Sequence, residues 1–423
     1  MKKQRKDKTL APECNVKYSQ IREIAEKVVE INKTLPEGEK VINLSLGQNF
    51  IGNPQPIFER IDWFKNGKFE SPILYEPSLG SGEVRDKIGN NFYPYFYDIP
   101  EDYYSSNEIM ITDGAFGAGR NAFGAILTRG DLLVIDRFTF RYFINTLQIL
   151  GRGKGRKLKP NVKTLPSTRE ENYLCPPETV KKFLKDLKEK NPGKNIVYYT
   201  QFGFNPTGCF RSEDALREIA QFIGQTPRLF LINDLAYHLI RWENKGEIPL
   251  ATYLSENHRG IVDIDTLSKP FGLMGARVGC LLTKDRKLFK ASARVQQYSI
   301  VSPNKFSVDV WHAIAEHISD LAGDIRNLNE NLKERKKVME GELQKVGIES
   351  LPSHGGLYTF LRVPEQASTL WKPLIEKAKV AGVPGNAFTG DNDSEGEKFF
   401  RFTIALPKQE IKQATQRLYK FFA

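Results

Sequence analysis

From about residue 108 to 284 the chain alternates short apolar runs with longer amphipathic ones, and this alternation limits the possible folds more than any other feature. "EIMIT" precedes the helical "AFGAGRNAFGAILTRG", "DLLVID" precedes "TFRYFINTLQILG", and "NIVYYT" precedes "SEDALREIAQFIG"; "RLFLIND" then leads to "IVDIDTLS" and "VGCLLT". A period of two alternating with a period near 3.6 specifies strands separated by helices, hence a mostly parallel sheet covered on both faces. Such sheets bind ligands beyond the carboxyl ends of their strands. The residues just after each apolar run are therefore the ones to examine for chemistry.

Beyond residue 306 the pattern changes to the charged helical stretch "DIRNLNENLKERKKVMEGELQKV", then "GGLYTFLRV", a helix near 369–381, "KFFRFTIAL" and a last helix from about 407. Strands interleaved with helices after one long helix predict a second, smaller α+β lobe. At 423 residues and 40% hydrophobic, the chain exceeds one ordinary core. The reading is α/β: residues 1–47 as an N-terminal arm and part of the small domain, 48–305 as a large domain, and 306–423 as a small C-terminal domain.

Several functional classes are disfavoured. Cys14, Cys175, Cys209 and Cys280 match neither a disulfide framework nor a CxxC site, and read as reduced thiols. His312 and His317 are too far apart on a helix to share a metal as an i, i+4 pair could, so no metal site is expected. The basic start "MKKQRKDKTLAPECNVKYSQ" lacks the apolar run of a secretory leader. No stretch reaches the roughly 18 apolar residues of a membrane span, so a cytoplasmic location is expected. The net charge of +11 gathers in a tail, a loop and a helix face without interleaved aromatics, which argues against nucleic-acid binding.

The strand ends hold an unusual set. Lys269 follows "IVDIDTL" inside a run that is otherwise small and apolar; desolvation and a neighbouring cation would depress its pKa and make it a nucleophile toward carbonyls. Arg277 suits a phosphate, and Thr266 and Ser268 add hydroxyls on the same loop. Asn205 opens "NPTG", and Asp234 ends a strand three residues before Tyr237. Gly114, Ala115 and Phe116 begin a helix after a strand, where free N–H groups can bind a phosphate. Taken singly, these are a surface loop, a good β-turn, a helix cap and a tight strand-to-helix turn. Their order along the chain is what distinguishes them.

That order resembles the class I/II aminotransferases, the fold type I enzymes of pyridoxal 5'-phosphate (PLP), over roughly residues 40–420. "SKPFGLMGARVG" is similar to the family's segment of Schiff-base lysine and phosphate-binding arginine, which assigns Lys269 to an imine with the cofactor. "NPTG" and "DLAY" are similar to the segments whose Asn and Tyr, here Asn205 and Tyr237, bond the phenolic oxygen and whose Asp, here Asp234, pairs with the pyridine nitrogen. "LSLGQNF" resembles the loop whose glycine, Gly47, lies against the substrate. "RFTFRYF" implies a ring-stacking Phe140, with Phe138 as the other choice, and "FFRFTIA" implies Arg401 as the grip on the α-carboxylate. "YEPSLGSGEVRDKI" implies that Tyr75 reaches the cofactor phosphate of a neighbouring subunit, hence a homodimer with shared active sites.

The resemblance implies transfer of an α-amino group to a keto acid. A non-transaminating PLP enzyme (oxidase or hydroxylase, cyclase, lyase) is the alternative, and a PLP-binding sensor a third. Two positions depart from the family pattern: Phe116 replaces a frequent polar residue, and Pro270 follows the lysine where Thr, Ser or Asn is usual. The second arginine of dicarboxylate-specific relatives is missing from residues 296–306, which disfavours aspartate.

Overall fold

The computed structural model describes residues 19–67, 73–128, 130–144, 161–242, 246–390 and 393–423. Cys14, the basic residues before 19 and between 152 and 160, and the second half of "TFRYFINTLQILG" lie outside the described residues.

The strands are β1 (Ile42–Asn43), β2 (Ile109–Asp113), β3 (Leu132–Ile135), β4 (Asn161–Thr164), β5 (Ile196–Gln201), β6 (Leu229–Asp234), β7 (Ile261–Thr266), β8 (Val278–Leu282), β9 (Tyr358–Arg362), β10 (Val380–Ala381), β11 (Val383–Pro384) and β12 (Phe399–Thr403). Seven of them form one sheet in the order β2-β8-β7-β6-β5-β3-β4. Within it only β8 runs antiparallel to its neighbours.

Side-chain alternation explains why this sheet is covered twice. Ile109, Ile111, Leu132, Val134, Ile196, Tyr198, Leu229 and Leu231 enter one apolar cluster, whereas Met110, Leu133, Ile135, Val197, Tyr199 and Ile232 enter another. The first cluster is closed by helices Pro177–Lys190, Glu213–Gln225 and Lys305–Glu316, and the second by Gly114–Ile126 and Arg286–Ile300. Each fully buried Ile, Leu or Val contributes about 1.5–3 kcal/mol relative to an exposed one, so an inverted register would cost both cores.

The small lobe is built from the antiparallel β11-β12-β9 sheet and helices Ile318–Gln344 and Lys408–Phe422. β1 pairs in parallel with β10, which ties the N-terminal segment to this lobe. Helix Lys305–Glu316 packs on the large sheet instead, with Trp311 Nε1 donating to Gly279 O at 3.0 Å. The helix expected near 369–381 is an α-helix over Ala367–Pro373 and a π-turn over Leu374–Ala378, followed by β10. A left-handed residue, Lys379 (φ 55°), ends it there.

Candidate active site

Strand register brings the candidates to one edge. Gln201 lies opposite Asp234, Asp234 opposite Ile264, and Thr266 opposite Gly279. The carboxyl ends of β5, β6 and β7 are thus level with the start of β8, which Arg277 immediately precedes. β2 ends at the same edge, with Asp113 opposite Val278.

Lys269 sits in the turn after β7, half-buried, with Nζ donating to Gly47 O at 2.6 Å. Asn49 Nδ2 donates to Lys269 O at 2.8 Å, so the loop holding Gly47 grips both ends of the lysine. Burial pushes the Lys269 amine down to about 8, and the positive charges of Arg401, Arg277 and Arg22 add to that while Asp234 opposes it. Gly47 must be glycine: a Cβ there would lie 2.1 Å from the Tyr358 hydroxyl. Pro270 gives up a backbone donor, but the lysine's carbonyl is fixed by Asn49 regardless.

Asp234 is buried, and its carboxylate accepts hydrogen bonds from Tyr199 OH (2.7 Å) and Ala236 N (3.0 Å). Both donors are neutral, and burial pushes the carboxyl up to about 6. A buried carboxylate in that state is stabilised by any cation placed against it.

Helix Gly114–Ile126 begins where the sequence suggested, and its first N–H groups have no acceptor within the helix. Gly114 has φ 69°, and a Cβ there would come within 3.2 Å of Arg277 Nη2 and 3.6 Å of Thr266 Oγ1. The space so left is bounded by a guanidinium, a helix N-terminus and a hydroxyl. Thr266 gives its hydrogen to Val278 O (2.7 Å), so in the pair Thr266 Oγ1–Ser268 Oγ (2.8 Å) only Ser268 has a hydrogen left to offer. The Ser268 hydrogen therefore closes that pair, and it is the one of the two that can turn to a ligand.

Arg401 is 1% exposed. Its Nη1 donates to Asn205 Oδ1 (2.9 Å) and its Nη2 to Ser45 O (2.6 Å), while Nε is buried with no partner among the described residues. The guanidinium lies 4.2 Å from the Tyr358 ring centroid and 4.8 Å from that of Phe388. Tyr237 OH is 2.7 Å from Tyr358 OH. Of the two rings considered for stacking, Phe138 is buried in a cluster with Tyr173, Phe360 and Phe399, whereas Phe140 remains partly exposed, its N donating to Gln201 Oε1 at 3.4 Å. Tyr75 is 87% exposed and takes no part in this group.

Three contributors were not read from sequence: Tyr199, Tyr358 and Asn49. Tyr199 was detectable in principle, since period two puts it on the same face of β5 as Gln201 at the strand's end. Tyr358 and Asn49 act across long sequence separations and leave no local signal.

This arrangement fits PLP. The cradle at Gly114 and Arg277 suits a phosphate, the Asp234 carboxylate suits a protonated ring nitrogen, and Lys269 is an amine whose neutral form is accessible near pH 8. The comparisons agree. The family model for aminotransferase class I and II matches residues 39–418, and the chain belongs to that family. It is a PLP-dependent aminotransferase. It is 24% identical to an aspartate aminotransferase of Pyrococcus horikoshii over 411 residues, covering 96% of this chain and 95% of that one. It is also 24% identical over 395 residues to a probable N-acetyl-LL-diaminopimelate aminotransferase of Bacillus subtilis, covering 93% and 92%. The fold is that of the Thermus thermophilus aspartate aminotransferase solved with maleate, with a TM-score of 0.82 at 19% identity over 97% of this chain and 99% of that one.

Proposed function

We propose that Lys269 is the amine that bonds the cofactor's aldehyde carbon while the chain moves an amino group from an α-amino acid to a keto acid. The observation that supports this most is a half-buried lysine in the turn after β7, its Nζ on Gly47 O and its pKa lowered by burial, Arg401 and Arg277. Bound PLP supplies an electron sink that makes the substrate Cα–H bond acidic. Arg277, Ser268 and the N–H groups of Gly114, Ala115 and Phe116 would hold its phosphate. Asp234 would keep its ring nitrogen protonated, Asn205 and Tyr237 would bond its phenolic oxygen, and Phe140 would lie against its ring. Arg401 grips the substrate carboxylate, which fixes the Cα–H bond near Lys269. Displaced from the cofactor's aldehyde carbon by the substrate's own amine, Lys269 Nζ would be free to take that proton and return it at the former aldehyde carbon. Borohydride reduction of the yellow protein should leave a pyridoxyl group on Lys269, found by peptide mass. The reaction of cofactor-free protein with PLP should accelerate as pH rises through about 8. A label on another lysine would refute the assignment.

Tyr75, exposed on the single chain, would complete the neighbour's phosphate site, making a homodimer with two shared sites. Mixing inactive Lys269→Ala and Tyr75→Ala proteins should then recover about a quarter of wild-type activity, because half of randomly exchanged dimers are mixed and each has one intact site. No recovery despite subunit exchange would mean that each site is built from one chain. The domain division at residues 47 and 305 belongs to the same proposal, with helix Lys305–Glu316 at the start of the second part packed back on the large sheet, as does a cytoplasmic location, supported by free, buried Cys175, Cys209 and Cys280. Among the described residues no helix is long and apolar enough to cross a membrane. The relatives' names put aspartate among the donors to assay, although residues 296–306 contain no arginine.

A further inference from the structure

Tyr358 touches three parts of the site at once. Its hydroxyl is 2.7 Å from Tyr237 OH, its ring lies 4.2 Å from the Arg401 guanidinium carbon, and its hydroxyl occupies the space where a Cβ on Gly47 would stand. Gly47 in turn accepts from Lys269 Nζ. Tyr358 is 1% exposed and is held by β9, where its neighbour in register is Thr403 of β12, two residues beyond Arg401. We propose that Tyr358 is a positioning residue that sets the phenol turned toward the cofactor and the guanidinium turned toward the substrate carboxylate in one geometry.

The proposal rests on the cofactor site described above. Each phenol has one hydrogen. With the Tyr237 hydrogen directed to the cofactor's phenolic oxygen, the Tyr237 oxygen is left to accept from Tyr358. A phenol that accepts becomes a stronger donor, because hydrogen bonds in series polarise one another. Tyr358 thereby strengthens the bond that favours the anionic form of the cofactor oxygen. Its ring acts separately, presenting a π-face to Arg401 from which water is excluded; the opposing contact is Phe388, 4.8 Å away.

Two variants separate these actions. Tyr358→Phe removes the hydroxyl and keeps the ring; Tyr358→Leu removes both. In holoenzyme, Tyr358→Phe should raise the pH midpoint of the visible absorption by about 0.3 to 0.7 units, with the KM for an amino acid little changed. Tyr358→Leu should show the same rise and in addition weaken a carboxylate-bearing inhibitor about tenfold, while an amine without a carboxylate reacts as with Tyr358→Phe. An unchanged midpoint in a yellow, folded Tyr358→Phe protein overturns the proposal alone, as does a Tyr358→Leu loss equal for amines and amino acids. A wild-type protein with no visible band overturns it together with the cofactor site on which it depends.

Discussion

Asp234→Asn protein is expected to fold and to lose roughly a hundredfold to ten-thousandfold in turnover. Asparagine preserves the shape of the carboxylate, and its carbonyl can still accept from Tyr199 OH or Ala236 N. What it cannot supply is the negative charge that keeps a ring nitrogen protonated. The cofactor-free proteins give an independent check through pH. The wild-type carboxyl rises from 3.8 unfolded to about 6 folded, so the folded state binds the proton more tightly. The stability this contributes is complete below pH 3.8 and is lost as pH rises through about 6, a change on the order of 3 kcal/mol at most. The Asn variant has no such group, so in urea titrations between pH 4 and 7 the difference between the two proteins should shift in favour of the variant as pH rises. Asp263 is raised to about 6 as well, but both proteins share it and it cancels. Full turnover in Asp234→Asn would refute the electrostatic role.

The sequence patterns legible in advance are those that burial forces on every residue of an element. β2, β3 and β5 to β8 could be read because both of their faces are buried, so each carries apolar residues on both faces. β4 has the sequence "NVKT" at the sheet edge, with no fully buried side chain, and nothing in its composition distinguishes it from a loop. Helix Gln20–Asn32 buries Ile24, Ala25 and Val28 at helical spacing, a readable stripe that was masked by the charged segment before it. β1 and β10 are two residues each and exist only through their pairing. The same division runs through the site. Lys269, Asp234 and Arg277 were legible because a charge at the end of an apolar strand contradicts its surroundings. Tyr199 and Tyr358 are aromatic residues in apolar strands, indistinguishable from core until the register aims their hydroxyls.

Asn49 shows a related limit. Its amide fixes the backbone of a residue 220 positions away, and Gly52 lies against Gly272 so closely that a Cβ on either would come within 3.2 Å of the other's backbone. The docking of this loop on the lysine turn is encoded by absent side chains. Two glycines among 33 cannot be singled out by pattern alone.

Arg401→Lys is expected to lower kcat/KM for α-amino acids by roughly a hundredfold to ten-thousandfold, if two charged hydrogen bonds to the carboxylate at about 1.5–3 kcal/mol each are lost or misaligned. The guanidinium carries five N–H donors. Two are engaged by Asn205 Oδ1 and Ser45 O, and Nε has no partner among the described residues, which leaves three for a ligand. A lysine there could replace one of the internal bonds and would reach the carboxylate only as a mobile point charge. Under the proposed function the chemistry of Arg401 is divided: two donors fix its plane against the small and large lobes, and the rest would serve the substrate. An amine lacking the carboxylate never uses the second set, so its reaction in single-turnover spectra should change little, and the visible absorption of the holoenzyme should stay near that of wild type. Equal losses for amine and amino acid would place Arg401 among the structural cations and move the carboxylate site elsewhere in the cleft.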